Sequence, residues 1–433
     1  MSSYRDTLQY LYGLEYRGMK FGLRNIRMLI SGAGHPERTF PSIHIAGTNG
    51  KGSTSAFLAS AFTEAGYRTG LYTSPHLVRF TERIRIDGKE IGGDRLAGYV
   101  RRLRPLIEKS GATFFEATTC VAFHYFADEN VDIAVIETGL GGRLDATNVL
   151  RPLVSVITNV SLEHTEILGT TVRAIAREKG GIIKPSVPVV TGAEDPGVVA
   201  VLRRRAASCG VRLRRSANLV SMTSHSRTGM VSFRSPHLST GKLRPGLEGT
   251  YQHRNAALAL AVLDTLLGQP AAAAKFRRLT SPVIRRAFER VVPNTGLRGR
   301  MQRHADAGRR ILLDVAHNPA GMRTLAGELR ERGEKNLVAV FGVMKDKDYS
   351  EMLSELSTVA DRIIAVAPAQ KRARPAAELC RVGKGLGLRM QKGGSVAAGI
   401  RIAARTGKNG VILITGSHYV VGEALRALRS ENA

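Results

Sequence analysis

The sequence predicts an α/β protein of two domains: a parallel sheet with a small antiparallel addition, then a smaller C-terminal Rossmann-like α/β domain. Three observations lead there. The chain has 433 residues, more than one ordinary hydrophobic core accommodates. From residue 42 onward short β-rich runs alternate with helical stretches, the pattern of parallel strands joined by right-handed crossovers. The alternation breaks over 211–244 and again near residue 290, then resumes. A content of 43% hydrophobic and 23% charged residues is that of a globular chain rather than a disordered one.

Ser42–Ala46 is the first β-rich run, and it opens into a glycine loop. Ser53 to Ala65 follows as a helix, with Leu58, Phe62 and Ala65 on one face and Gly66 as its C-terminal cap. Thr69–Thr73, Val131–Glu137, Leu153–Asn159 and Val187–Thr191 read as further strands. Val211–Arg244 carries short β segments among many turn residues, which fits the antiparallel addition. Asn255–Leu267, rich in alanine and leucine, is a helix. Arg290–Arg300 holds Pro293, Asn294 and two glycines without a clear period and reads as the linker. The domains are therefore expected to be 1–293 and 294–433. A second series runs through Ile311–Val315, Leu337–Phe341, Ile363–Val366 and Val411–Thr415. Two such domains would leave a cleft, a common place for ligands.

Composition excludes several classes. The three cysteines, Cys120, Cys209 and Cys380, are far apart and form no CxxC pair. That argues for a reducing compartment and against a disulfide framework or a thiolate zinc site. Met1 to Phe21 lacks the apolar core of a secretory signal, and no run approaches the roughly 20 apolar residues of a membrane helix. A soluble, cytoplasmic protein is expected. The net charge of +28 allows two readings. Nucleic-acid binding is one, but the basic clusters are short and scattered and no aromatic-interleaved signature accompanies them. The other is an arginine-rich surface that attracts small anionic substrates, and this is the reading adopted.

Gly47-Thr48-Asn49-Gly50-Lys51-Gly52-Ser53 departs from the strict GxxxxGK[ST] pattern: Ile45 replaces the first glycine, and Gly52 separates Lys51 from Ser53. Its setting between strand and helix is nevertheless that of a P-loop, a mononucleotide-binding element. Glycines let backbone N–H groups converge on one anion, and the helix N-terminus adds a favourable field. Lys51 reaches outer phosphates, and Ser53 offers a hydroxyl to phosphate or magnesium. Ser74, Glu137 and His164 stand just beyond three β runs, where open α/β sheets bind ligands. Each alone is equally a turn serine, an ion-paired glutamate or a core histidine. Together, at the same strand ends as the loop, they suit a magnesium ion.

The segments HIAGTNGKGST (44–54), TSPHLVRFTERI (73–84), ETGLGGRLDATNV (137–149), LEHTEILGTT (162–171), EKGGIIK (178–184), GTYQHRNAA (249–257), DVAHNP (314–319), FGVMKDKD (341–348) and TGSHYVVGE (415–423) run in order through the chain. With them the chain resembles the folylpolyglutamate synthase/dihydrofolate synthase branch of the Mur ligase superfamily. GTNGKGS followed by SPHL and GLGGRLDATN is specific to that branch.

The resemblance implies an ATP-dependent ligase. It would add L-glutamate to dihydropteroate, or to the γ-carboxylate of a folate, through an acyl phosphate. ATP would lie on Gly47, Thr48, Asn49, Gly50, Lys51, Gly52 and Ser53, with Gln252 and Asn255 nearby. Ser53, Ser74, Glu137 and His164 would hold Mg2+, with a second ion bound by Lys179 as a carbamate. Lys179 in an ordinary ion pair remains the alternative. Arg300 would reach across the cleft to the phosphates, and Asp314 and His317 would face nucleotide and amino acid. His76, Arg79, Phe80 and Arg83 would contact the folate. No organic prosthetic group is expected, nor a membrane or nucleic-acid partner, and the family leans monomeric. Two departures stand out: Gly180 where relatives carry alanine, and Gly296-Leu297-Arg298-Gly299 where they tend to Trp-Pro-Gly. The rival readings are another Mur-type ligase acting on a peptidoglycan precursor and a nucleic-acid-stimulated P-loop ATPase.

Overall fold

A computed structural model describes residues 3–18, 22–225, 229–306, 309–406 and 410–430. Of Met1–Phe21, read above as lacking a secretory signal, residues 1–2 and 19–21 lie outside that set. The chain divides into two compact units. One comprises the chain up to Pro75, Phe80–Gly246 and Gln252–Leu297; the other comprises His76–Arg79, Leu247–Tyr251 and the chain from Arg298 on.

The first unit is built on eight strands: β1 (Ser42–Ala46), β2 (Thr69–Tyr72), β3 (Ile84–Ile86), β4 (Lys89–Glu90), β5 (Ile133–Glu137), β6 (Val154–Ile157), β7 (Val189–Thr191) and β8 (Leu213–Arg215). Their order is β4-β3-β2-β5-β1-β6-β7-β8. From β2 to β8 every neighbouring pair is parallel, and β3 and β4 extend the sheet antiparallel. β1 and β5 are buried at every position because helices cover both faces, so Ser42 and His44 of β1 and Glu137 of β5 are buried along with their apolar neighbours. One face packs on Phe123 and Phe126 from the helix Phe114–Asp128 and on Ile26 and Leu29 from Arg24–Gly32. The sequence reading passed over these helices, although Thr113 and Glu116 form a capping box that announces the first of them.

Two expectations need correction here. Val211–Arg244 is only partly antiparallel: Leu213–Arg215 follows the helix Pro196–Ser208 and joins β7 as a parallel edge strand. The separate antiparallel sheet is made by β9 (Ser221–His225), β10 (Met230–Arg234) and β11 (Ser239–Leu243). The segment read as an irregular linker contains a short helix, Val291–Thr295, which packs on the helix Lys51–Glu64.

The second unit carries β12 (Gln302–Asp306), β13 (Arg309–Leu313), β14 (Val338–Phe341), β15 (Arg362–Val366), β16 (Met390–Gly394) and β17 (Val411–Thr415). Their order is β12-β13-β17-β14-β15-β16, with only β12 antiparallel. Alternate residues feed two cores. Leu312, Ala339, Phe341, Ile363 and Leu413 line one face, and Ile311, Leu313, Val340, Ile364 and Ile414 the other. No described helix is long and apolar enough to cross a membrane.

Candidate active site

In the first sheet β1 is flanked by β5 on one side and β6 on the other. Crossovers leaving in opposite directions open a crevice at the C-terminal end of such a strand, and the glycine loop lies there. Gly50 adopts φ +82° as the N-cap of the helix Lys51–Glu64, which begins two residues earlier than expected. A Cβ at Gly50 would sit 2.5 Å from Asn255 Oδ1, so the glycine is needed for conformation and for space. The first intrahelical bond runs from Thr54 N to Gly50 O, 2.9 Å. The N–H groups of Lys51, Gly52 and Ser53 therefore have no intrahelical acceptor, which is the anion-binding end of a helix.

The strand that follows fixes the loop. Asn159 O accepts from Thr48 N at 2.9 Å, and Asn159 Oδ1 accepts from Asn49 N at 2.8 Å. Thr158 Oγ1 donates to Asn49 O at 2.7 Å. Gly47, at φ +156°, approaches Thr158 so closely that a Cβ would fall 1.8 Å from its Oγ1.

Two lysines converge on this loop. Lys51 Nζ donates to Gly47 O at 3.0 Å and to Thr48 O at 3.1 Å. Lys179, near the end of the helix Val172–Gly180 and 2% exposed, donates to the same Gly47 O at 2.8 Å. Burial, reinforced by the charge of Lys51, lowers the Lys179 pKa to about 7. Glu163 and Asp145 pull in the opposite direction.

Ser74 and Glu137 also meet: Ser74 N donates to Glu137 Oε2 at 3.4 Å, and the carboxylate is buried at the end of β5. His164, in the left-handed region at φ 49°, precedes the short helix Thr165–Leu168, with its Nε2 3.9 Å from Glu163 Oε1. Among the described residues no group of three or more His, Cys, Asp or Glu side chains is placed to hold a metal. Serine hydroxyls, carboxylates and imidazoles are hard or borderline donor types that can bind a divalent ion sharing phosphate oxygens. Gln252 Oε1 accepts from Asn255 Nδ2 at 2.8 Å, and both belong to the helix that covers Gly50.

The sequence reading missed the buried relay behind the loop that follows Glu137. Asp145 accepts from Leu140 N at 2.8 Å and Thr147 N at 3.0 Å, and also from the Thr147 hydroxyl. Thr147 Oγ1 in turn lies 2.8 Å from His44 Nε2. Burial raises the Asp145 pKa against these donors. An Asp two residues before a Thr, opening a short helix, was the available signal.

In the second unit, Asp314 stands just past β13 and is 6% exposed. It accepts from Met301 N (2.9 Å), Ala316 N (2.9 Å) and Tyr251 Oη (3.1 Å). Burial raises its pKa, and the charge of Arg300 opposes that shift. Arg300 Nη1 donates to Gly299 O at 3.3 Å. His317 Nδ1 lies 2.9 Å from Val315 O, and its ring centroid is 5.0 Å from that of His418. The four folate candidates divide: His76 and Arg79 belong to the second unit, Phe80 and Arg83 to the first. Phe80 is 2% exposed and packs edge-on against Phe114 and Tyr12, with the Arg83 guanidinium 5.3 Å from the Phe114 ring centre.

Both parts of the chain match known protein families. Residues 45–263 match the Mur ligase middle domain and residues 299–418 the Mur ligase glutamate ligase domain. The chain is 33% identical to a dihydrofolate synthase/folylpolyglutamate synthase of Bacillus subtilis, over 99% of this chain and 100% of the relative. Escherichia coli FolC in complex with DHPP and ADP superposes with a TM-score of 0.86 at 29% identity, covering 100% of this chain and 99% of that one. A bifunctional folylpolyglutamate synthase/dihydrofolate synthase with Mn, AMPPNP and L-glutamate bound gives a TM-score of 0.84 at 29% identity, covering 99% and 98%.

Proposed function

Since this chain belongs to the dihydrofolate synthase/folylpolyglutamate synthase family of Mur-type ligases, we propose that it uses ATP to join L-glutamate to dihydropteroate, to the γ-carboxylate of a folate, or to both. The observation that carries this reading is the glycine loop at the N-terminus of the helix Lys51–Glu64, with Lys51 folded onto it, beside a strand end that bears Glu137. That is a site for a highly charged phosphate chain.

In this reaction the γ-phosphoryl group passes to the substrate carboxylate and ADP leaves. The glutamate amine then attacks the acyl phosphate, and phosphate departs. Positioning and charge neutralisation dominate such chemistry. Gly47, Thr48, Asn49, Gly50, Lys51, Gly52 and Ser53 hold the phosphates, with Gln252 and Asn255 beside them. Arg300 adds positive charge, and Asp314 and His317 face the nucleotide and the amino acid. His76, Arg79, Phe80 and Arg83 serve the folate.

Ser53, Ser74, Glu137 and His164 are the residues that would hold Mg2+, and a buried carboxylate at a strand end is costly without a cation, which supports the fit. Bound there, Mg2+ supplies neutralisation of phosphate charge. Lys179 is proposed to carry a carbamate and bind a second ion. Its amine is buried beside another cation, so reversing its sign removes a like-charge clash. The division of labour is 1–293 for ATP and 294–433 for glutamate. The protein works as a cytoplasmic monomer without a nucleic-acid partner.

The test is phosphate release dependent on L-glutamate with dihydropteroate, tetrahydrofolate and a UDP-sugar peptide as alternative acceptors. Turnover with a pterin substrate is expected. Activity with neither pterin would overturn the proposal.

A further inference from the structure

Many surface arginines have a carboxylate partner. Arg68 and Arg95 pair with Glu129, Arg143 with Glu178, Arg303 with Glu248, and Arg323 with Glu351 and Glu355. One group does not. The side chains of Arg203 and Arg204, on the helix Pro196–Ser208, and of Arg212, Arg214 and Arg215, around β8, have no hydrogen bond or ion pair to any described residue. Three of them, Arg203, Arg212 and Arg215, line a cavity of about 370 Å³ together with Asn218, Val211 and Leu213. Its wall has neither a carboxylate nor an aromatic ring. Arg215 Nε is buried and has no hydrogen-bond partner.

Charges on an edge strand often serve only to discourage pairing with another strand. That role is filled by side chains in water, as Arg203, Arg212 and Arg214 are, whereas Arg215 is half-buried. It gives no reason for three guanidinium groups around one cavity, or for a buried donor left unsatisfied. Guanidinium forks match carboxylate and phosphate oxygens. Without an aromatic wall the cavity has nothing to stack on a base or a pterin, so its ligand is the anionic chain alone.

The sheet register places this cavity. Ala46 pairs with Ile157, Ile157 with Thr191, and Thr191 with Arg215, one row across β1, β6, β7 and β8. Three strand spacings set Arg215 roughly 14 Å from the strand end that opens the glycine loop. We propose that the cavity is a binding site for an extended oligocarboxylate, the γ-linked glutamate chain of a polyglutamylated folate. The proposal rests on the ligase reading above and gives that enzyme a handhold on chains already lengthened.

The test compares the wild type with a triple variant, Arg203→Ser, Arg212→Ser and Arg215→Gln. A control, Arg204→Ser with Arg214→Ser, removes two neighbouring charges outside the cavity lining. Calorimetric titration uses penta-γ-L-glutamate, which has no pterin. Affinity is expected to fall about tenfold or more in the triple variant, to fall with added salt in the wild type, and to change little in the control. In ligase assays the KM for a pentaglutamyl folate is expected to rise about fivefold, while the KM values for monoglutamyl folate and ATP stay within about twofold. Failure of the wild type to bind penta-γ-glutamate, or an equal KM change for short and long substrates, would overturn the site. Binding of inorganic tripolyphosphate or a single-stranded oligonucleotide through these arginines, but not of penta-γ-glutamate, would also overturn the oligocarboxylate assignment. A wild type inactive on every folate yet binding penta-γ-glutamate through these arginines would sink the ligase reading and leave the site standing.

Discussion

Acid should weaken this protein through one residue, His44. It lies fully buried in β1, and its Nδ1 is buried with no hydrogen-bond partner. Because the Thr147 hydroxyl donates to Asp145, His44 must donate through Nε2–H to Thr147, so the neutral ring is the form the fold accommodates. Burial, helped by the charge of Lys184, lowers its pKa to about 3 from the ordinary 6.5. The unfolded chain takes up this proton below its own pKa, and the folded chain refuses it. Stability from this source is therefore complete above pH 6.5 and declines as pH falls from there towards 3. Each pH unit in that window corresponds to about 1.4 kcal/mol, so roughly 2 kcal/mol is lost by pH 5. His44→Gln keeps an amide donor for Thr147 and abolishes the titration. Urea unfolding followed by far-UV circular dichroism suits a chain without tryptophan. Wild type and variant compared at pH 7.5 and 5 should diverge by about 2 kcal/mol, with the wild type losing more. Parallel losses would refute the argument, because every other titrating group is common to both proteins.

Lys51→Ala and Glu137→Gln should each reduce ligation by about 10³-fold or more while the circular dichroism spectrum is retained; near-normal turnover in either would remove the role given to that residue. Lys179→Ala should lose activity that added acetate partly restores, as a small carboxylate stands in for the carbamate, and an equal loss with and without acetate counts against modification. Gly50→Ala forces an L-residue into the left-handed region against Asn255. It should cost about 1–2 kcal/mol of stability and weaken nucleotide binding measured by titration; unchanged binding would mean that the loop's shape is not what the nucleotide reads.

Strands were the legible part of the fold. Ser42–Ala46 and Val411–Thr415 are β-rich and buried at every position, and the structure gives them those same limits. Helix starts were less so. The loop helix begins at Lys51 rather than Ser53 because Gly50, in the left-handed region, takes the cap position usually held by Ser, Thr, Asp or Asn. Leu213–Arg215 was assigned to the wrong sheet because three residues carry too short a pattern to specify a partner. At the site, Glu137 was visible as an acid at the end of an apolar run. The meeting of Lys179 with Gly47 spans 132 positions, and no local pattern encodes it; only the resemblance singled that lysine out. His44 escaped notice because a histidine in a β-rich run looks like any other core residue until its hydroxyl partner is known.

The oxygen of Gly47 accepts from two ammonium groups, one on the loop's own helix and one from a helix far along the chain. Any event that changes how Lys179 holds that oxygen therefore acts on the loop, and any ligand that reshapes the loop acts on Lys179. Thermodynamic linkage makes such effects reciprocal. If a bound nucleotide raises the affinity of Lys179 for carbon dioxide by some factor, carbon dioxide raises the affinity for nucleotide by the same factor. With the proposed carbamate on Lys179, a single shared carbonyl would make the dissolved gas a second variable in every nucleotide titration of this protein.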